Sequence, residues 1–315
     1  MNTTAGQSRM VDYKSGTFSS ITVSAHMFAT AVNTAIQETD FKPEQVQVAV
    51  TLKRGGRSEP IMNDNLLVLG VAKALKNGLH WFKSGYDRVY PSANTMHYKQ
   101  RTVTLFFGAP IRVDTGDELV IEISPASACM NGNIVNLSTS FIEFYANPDI
   151  GYEMGIPYTK SRIIQANVNS EEFSLGDNVT KIWLLNFDKA NLSEAVISSV
   201  MLTSDKYDNS YTFNRLLSLQ AASPEFDTAK RYGAVPPTES VFRLPNVYPQ
   251  SFILFDGSIT DSDLDDVRLS INLNGANVNQ SQNVVVWQCY SATREQINES
   301  LERQQKHLVE NMSKL

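Results

Sequence analysis

The chain has 315 residues, two cysteines and a formal net charge of −6. That length suits two domains, each able to bury a core of its own. The mildly acidic balance argues against sequence-independent binding of nucleic acid, which needs a basic surface. No run of about 18 apolar residues offers a membrane span, and the first residues have no apolar stretch of the signal-peptide kind.

Ile21 and Val23 alternate with Ser20, Thr22 and Ser24. Val46, Val48, Val50 and Leu52 alternate with Gln45, Gln47, Ala49 and Thr51. A period of two predicts antiparallel strands with one buried face and one wet face. Asn63 or Asp64 would cap a helix reaching Lys76, with Leu67, Val71, Ala74 and Leu75 as its buried stripe. Residues 182–185 and 284–287 are apolar on both faces and predict central strands. A second short helix is expected from Thr212 to Ala222, with Phe213, Leu216, Leu217 and Ala221 inward. Leu269, Ile271 and Leu273 alternate with Ser270, Asn272 and Asn274 as another strand. Turn residues separate these runs, among them Arg54-Gly55-Gly56 and Asp114-Thr115-Gly116-Asp117.

The chain repeats itself. A shift of 150 places Val50 on Val200, Leu52 on Leu202, Leu66 on Leu216 and Leu67 on Leu217. Residues 105–123 match 254–271 at nearly the same shift, with Leu119 falling on Leu269. Two blocks at one offset and in one order predict a duplicated all-β fold. Two sandwich halves are expected over residues 17–146 and 159–290, joined by a linker at 147–158 that holds two prolines and two glycines. Residues 291–315 follow as a helical tail.

Catalytic signatures are weak. His26, His80, His97 and His307 lack the i, i+4 spacing of a zinc pair. No nucleophile elbow, P-loop or dinucleotide fingerprint occurs. Asp261, Asp263 and Asp265 resemble the start of a calcium loop, but Asp266 stands where the loop needs glycine and Asn272 where it needs glutamate. The acidic stretch therefore reads first as a solvated loop, with calcium as the minority reading. Trp183 and Trp287 lie within apolar strands and predict core packing, whereas Trp81 sits in a loop where a sugar could stack. Cys129 and Cys289 read as free thiols, consistent with assembly inside a cell. No cofactor is expected. In the tail, Ile297, Leu301, Leu308, Met312 and Leu315 form a narrow stripe on a helix with four basic and four acidic residues. Without a cationic face, that helix is expected to dock on protein, on its own surface or on a neighbour.

The duplicated pattern of strand, polar turn and double-leucine helix, followed by strands around an acidic loop, resembles the double jelly-roll major capsid proteins. It is carried by residues 41–70 and their echo at 195–222. The likeness is closest to the smaller members from icosahedral bacteriophages with an internal membrane, the corticovirus and finnlakevirus kind. It implies two tandem eight-stranded antiparallel jelly rolls and a pseudo-hexameric homotrimer. The shell would surround an internal membrane, with possible minor capsid partners, no direct nucleic acid contact and no enzymatic activity. Such a protein is assembled in the host cytoplasm and resides in the virion. The rival readings are a double jelly-roll glycan-binding protein or glycan hydrolase, and a viral spike or receptor-binding protein.

Overall fold

The structure is a computed structural model. It describes residues 1–70, 83–84, 96–151, 157–164, 169–186, 197–222, 252–257, 263–273 and 283–290, together with 298, 299, 302, 305, 306 and 309 in the tail. The chain divides into two compact units, Met1–Glu153 with Ala234–Arg243, and Met154–Gly233 with Leu244–Leu315.

In the first unit the strands are β1 (Asn2–Thr3), β2 (Arg9–Tyr13), β3 (Gly16–Val32), β4 (Val46–Arg54) and β5 (Arg57–Asn65). They continue with the short β6 (Lys83–Ser84), β7 (Met96–Val113), β8 (Glu118–Pro125) and β9 (Phe141–Pro148). One sheet runs β1-β9-β3-β7-β6, and four strands run β5-β4-β8-β2. Set β6 aside and letter the strands B to I in chain order: the sheets then read B-I-D-G and F-E-H-C. That is the arrangement of a jelly roll, in which two Greek keys are folded into facing sheets.

The second unit repeats it. Its strands are β10 (Pro157–Ile163), β11 (Ser170–Gly176), β12 (Val179–Asn186), β13 (Ile197–Thr203), β14 (Asp208–Thr212), β15 (Phe252–Asp256), β16 (Val267–Leu273) and β17 (Asn283–Tyr290). The order β15-β12-β17-β10 is G-D-I-B, and β11-β16-β13-β14 is C-H-E-F.

The offset of 150 is a register in space. Leu52 lies opposite Leu119 across β4 and β8, and Leu202 lies opposite Leu269 across β13 and β16. Val50 and Ile121 map likewise onto Val200 and Ile271. All eight side chains are buried, because alternate residues of strands E and H point between the sheets. The predicted two-sided strands are β12 and β17, which occupy the middle of their sheet.

A helix follows strand F in each unit. The first, α1, is helical over residues 66–70; the second is α2 (Phe213–Ala222). Leu66 and Leu216 are both fully buried. The cap of α1 differs from expectation: Asn63 and Asp64 stay in β5, and the Asn65 side chain accepts the Val68 N–H at 2.9 Å. Leu66, Val68 and Leu69 are buried while Leu67 is only half-buried, so the inward face is not the expected one; Val71, Ala74 and Leu75 lie outside the described residues. The first roll also takes in residues ahead of Thr17. Strands β1 and β2 pair with β9 and β8, which places Asn2–Tyr13 within the sandwich.

The E–F hairpin shows why the turns fall where they do. Arg54 pairs with Arg57 around a two-residue loop, Gly55 and Gly56, at φ +55 and +78. Both positions need positive φ for the loop to match the twist of the strands, and glycine accepts it without steric cost.

Candidate functional site

The outer face of strand D in the first roll is the most organised polar surface among the described residues. Ser20, Thr22 and Ser24 were expected to be wet, yet they are 2%, 6% and 3% exposed. The hydroxyls are paired across the sheet instead. Ser24 meets Thr102 at 2.8 Å and Thr22 meets Thr104 at 3.2 Å, while the Asn147 amide donates to Ser20 and Thr22, each at 2.9 Å. Alternation told which face these residues take; it did not tell that their hydroxyls would be buried and paired.

The same row ends in His26. Its Nδ1 lies 2.6 Å from the Tyr98 hydroxyl, and its ring stacks on Phe141 with centroids 4.6 Å apart. Nε2 is 3.3 Å from a Glu143 carboxylate oxygen, off the line of a directed hydrogen bond. Burial lowers the pKa of His26 below its ordinary value, against a smaller opposing pull from Glu143. The neutral ring can accept from the Tyr98 O–H and carry its own proton on Nε2. Hydroxyl, imidazole and carboxylate in that order is the logic of an activated nucleophile. Here the three groups stand side by side on strands G, D and I of one sheet face. What the arrangement does plainly is lock three strands together. Sequence spacing gave no hint of it, because the partners are far apart in the chain and only the sheet register joins them.

At one end of each roll the C–D, E–F and G–H turns are tied to one another, by different means. In the first roll the ties are cationic. Arg54 Nε meets Asp117 at 2.9 Å and its guanidinium donates to the Arg112 carbonyl, while Lys53 and Lys14 share Glu118 at 3.2 and 3.7 Å. In the second roll carboxylates cap amides. Asp265 accepts the Asn178 N–H, Asp205 the Asp265 N–H and Asp177 the Asp266 N–H, all at 2.9 Å. Lys206 Nζ then bridges Asp205 and Asp263 at 3.6 and 3.7 Å. Asp263 and Asp265 of the calcium candidate thus face a lysine and backbone donors, and Asp261 lies outside the described residues. Among the described residues no group of three or more acidic, His or Cys side chains could hold a metal ion.

The other predicted residues fall as follows. Trp183 and Trp287 are buried. Cys129 and Cys289 are free and buried, and burial pushes each thiol up to about 11, so both stay protonated at neutral pH. His97 Nδ1 accepts the Ile36 N–H at 2.8 Å, a structural task. His80, His307, Trp81 and the tail stripe Ile297, Leu301, Leu308 and Met312 lie outside the described residues, as does Leu315. The described tail residues are helical and exposed. No helix among the described residues is long and apolar enough to cross a membrane. In the second roll an open groove of about 250 Å³ lies between Tyr207 and Tyr211 on one side and residues 253–256 on the other. Among its described lining residues the one carboxylate, Asp256, is held by Lys181 at 2.9 Å, so the described lining offers no spare acid or base pair.

One half-buried carboxyl stands apart. Asp64 Oδ1 accepts the Asn65 N–H at 2.7 Å, whereas no donor among the described residues reaches Oδ2. Burial raises its pKa to about 6, with the Asn65 amide pulling the other way. A carboxyl raised on folding makes the protein lose stability as pH climbs from the unfolded value of 3.8 to the folded value of about 6. Asp64→Asn keeps the amide bond and removes the charge. It should gain on the wild type across that window, by up to about 2 kcal/mol at pH 7 after allowing for partial exposure. Urea denaturation at pH 4 and pH 7 checks this; an equal difference at both would refute it.

The whole architecture has solved counterparts. The chain matches the crystal structure of the STIV MCP, a viral major capsid protein, with a TM-score of 0.52 at 14% identity, over 91% of this chain and 92% of that one. It has the double jelly-roll fold. It matches the atomic structure of Sulfolobus Turreted Icosahedral Virus with a TM-score of 0.51 at 14% identity, over 91% and 86% of the two chains. The cryo-EM structure of the Sputnik virophage gives a TM-score of 0.37 at 9% identity, too low to carry an argument. No protein-family model and no curated protein matches the sequence. At such identities the likeness is one of fold, and it spans 91% of this chain.

Proposed function

We propose that the chain is a structural capsid protein, the major building block of an icosahedral virion shell. The observation that supports this most is the extent of the likeness: 91% of the chain, both rolls included, follows a viral major capsid protein over 92% of its length. In this reading the chain assembles as a homotrimer whose six similar rolls give a pseudo-hexagonal outline that tiles a shell. It surrounds an internal membrane, as the sequence resemblance to bacteriophages of that kind implies, with minor capsid proteins as further partners. It is assembled in the host cytoplasm and resides in the virion. The protein works without catalysis and without touching the genome, in keeping with its acidic balance. The His26–Glu143 pair does not favour the hydrolase alternative, because His26 Nε2 makes no directed hydrogen bond to Glu143 and the row is built into a sheet face.

The helical tail beyond Tyr290 is the element we assign to contacts between subunits or with a partner layer, through Ile297, Leu301, Leu308 and Met312. Most of the stability of a helix in a protein comes from packing an amphipathic face, so this one needs a surface to settle on. Residues 298, 299, 302, 305, 306 and 309 are exposed at helical spacing, which marks the solvated arc. Two measurements test the reading. Native mass spectrometry of disassembled particles should give trimers, and stable dimers or pentamers alone would count against it. Deleting residues 292–315 should leave trimers folded and prevent closed shells; a truncated chain that cannot fold would make the tail an internal brace.

A further inference from the structure

The tied turns at the end of each roll leave opposite charges behind. Among the described residues, the first roll's turns and the strand ends beside them carry Lys14, Lys53, Arg54, Arg57 and Arg112 against Asp12, Asp114, Asp117 and Glu118. The second roll's turns carry Asp177, Asp205, Asp208, Asp263, Asp265 and Asp266 against Lys206 and Arg268. The positions correspond through the repeat: Gly55 and Gly56 of one E–F turn match Asp205 and Lys206 of the other, and Glu118 matches Arg268. The excess is outward. In the first roll two lysines share one carboxylate, and Lys14, Lys53, Arg57 and Arg112 are all exposed. In the second roll Asp177, Asp205 and Asp265 spend hydrogen bonds on amides, which holds them in place without cancelling their charge; they and Asp208 are exposed as well. Two copies of one fold have diverged to opposite sign at the same end.

We propose that the basic turn end of the first roll docks against the acidic turn end of the second roll in a neighbouring copy of this chain. This inference rests on the shell reading and supplies one of its contacts. Complementary potentials at such a rim raise the encounter rate and set which faces meet, and they weaken with salt. The occupant is a second copy because the chain itself supplies a patch of each sign at equivalent positions, so that every subunit is both donor and acceptor of the contact.

The test compares shell assembly of the full chain by light scattering and electron microscopy across a salt series. The wild type should assemble less readily as salt rises. Lys14→Glu with Arg57→Glu reverses the excess on the first roll at two exposed positions, and Asp208→Lys attacks the second roll from the other side. Each should melt as the wild type does, form the same capsomer and need at least ~10-fold more protein to close shells, with a flatter salt dependence. The charge-preserving pair Lys14→Arg with Arg57→Lys should assemble normally. Reversed variants that close shells at wild-type concentration and salt would overturn the proposal. So would wild-type binding to phosphatidylserine vesicles that is lost in the Lys14/Arg57 variant while its shells form normally, since the basic end would then serve a lipid surface. A wild type that forms no shell under any condition refutes the shell reading itself, a separate result.

Discussion

Lys181→Met is expected to destabilise the second roll by roughly 3–5 kcal/mol, among the largest effects of any single substitution in the chain. Lys181 and Asp256 are direct cross-strand partners on β12 and β15. Their charged atoms are 2.9 Å apart, with side chains only 7% and 12% exposed. Lys181 Nζ also lies 5.9 Å from the Trp183 ring centre. Methionine keeps most of the stem and its packing, so the loss isolates the charge. Asp256 would then lose its lysine partner at a site with little access to water, and the loss of that short contact is the source of the cost. Its reach already shows at Tyr290, whose hydroxyl is raised first by burial and then by the Asp256 charge. Adding Asp256→Asn to the methionine variant should recover a good part of the loss, because the second charge goes too. Urea denaturation of the three proteins measures this. A methionine variant as stable as the wild type would mean that Asp256 is solvated and that the pair contributes nothing.

The duplication was legible because its signal is made of core leucines and valines. Leu52, Leu119, Leu202 and Leu269 sit at facing positions of strands E and H, where a change of size is felt at once, so the periodic pattern and the 150-residue offset survive together. The helix after strand F was visible through its double leucine, but its rotation was not: Asn65 rather than Asn63 or Asp64 caps it, and the face turns accordingly. Strands β1 and β2 escaped notice because Asn2–Thr3 is too short to show a period and Met10 and Asp12 interrupt the second with an exposed face. The paired hydroxyls and the Tyr98–His26–Glu143 row were beyond reach for a different reason. Their chemistry depends on the alignment of β3 with β7 and β9, and serine or threonine on a strand looks the same whether it meets water or another hydroxyl. The turn ends were half legible: the acidic stretch was plain, but its partner Lys206 comes from another turn of the fold.

Leu52→Ala and Leu202→Ala should each cost about 2–5 kcal/mol, and the two costs should resemble one another. Each leucine occupies the last buried position of strand E before its turn, 0% and 2% exposed, with a leucine of strand H opposite it. Truncation removes three carbons, one methine and two methyls, from a site held by two paired strands, so little collapse is available and most of the cavity stays open. The neighbouring residue supplies the control. Met201 precedes Leu202 on the same strand but points to the other face and is 47% exposed, so Met201→Ala should cost less than about 1 kcal/mol. A difference of that size between adjacent residues follows only if the strand keeps the register that pairs Leu202 with Leu269 and Met201 with Ser270. Equal losses at 201 and 202, or a Leu52 variant as stable as the wild type beside a crippled Leu202 variant, would show that the two rolls are not the same structural unit used twice.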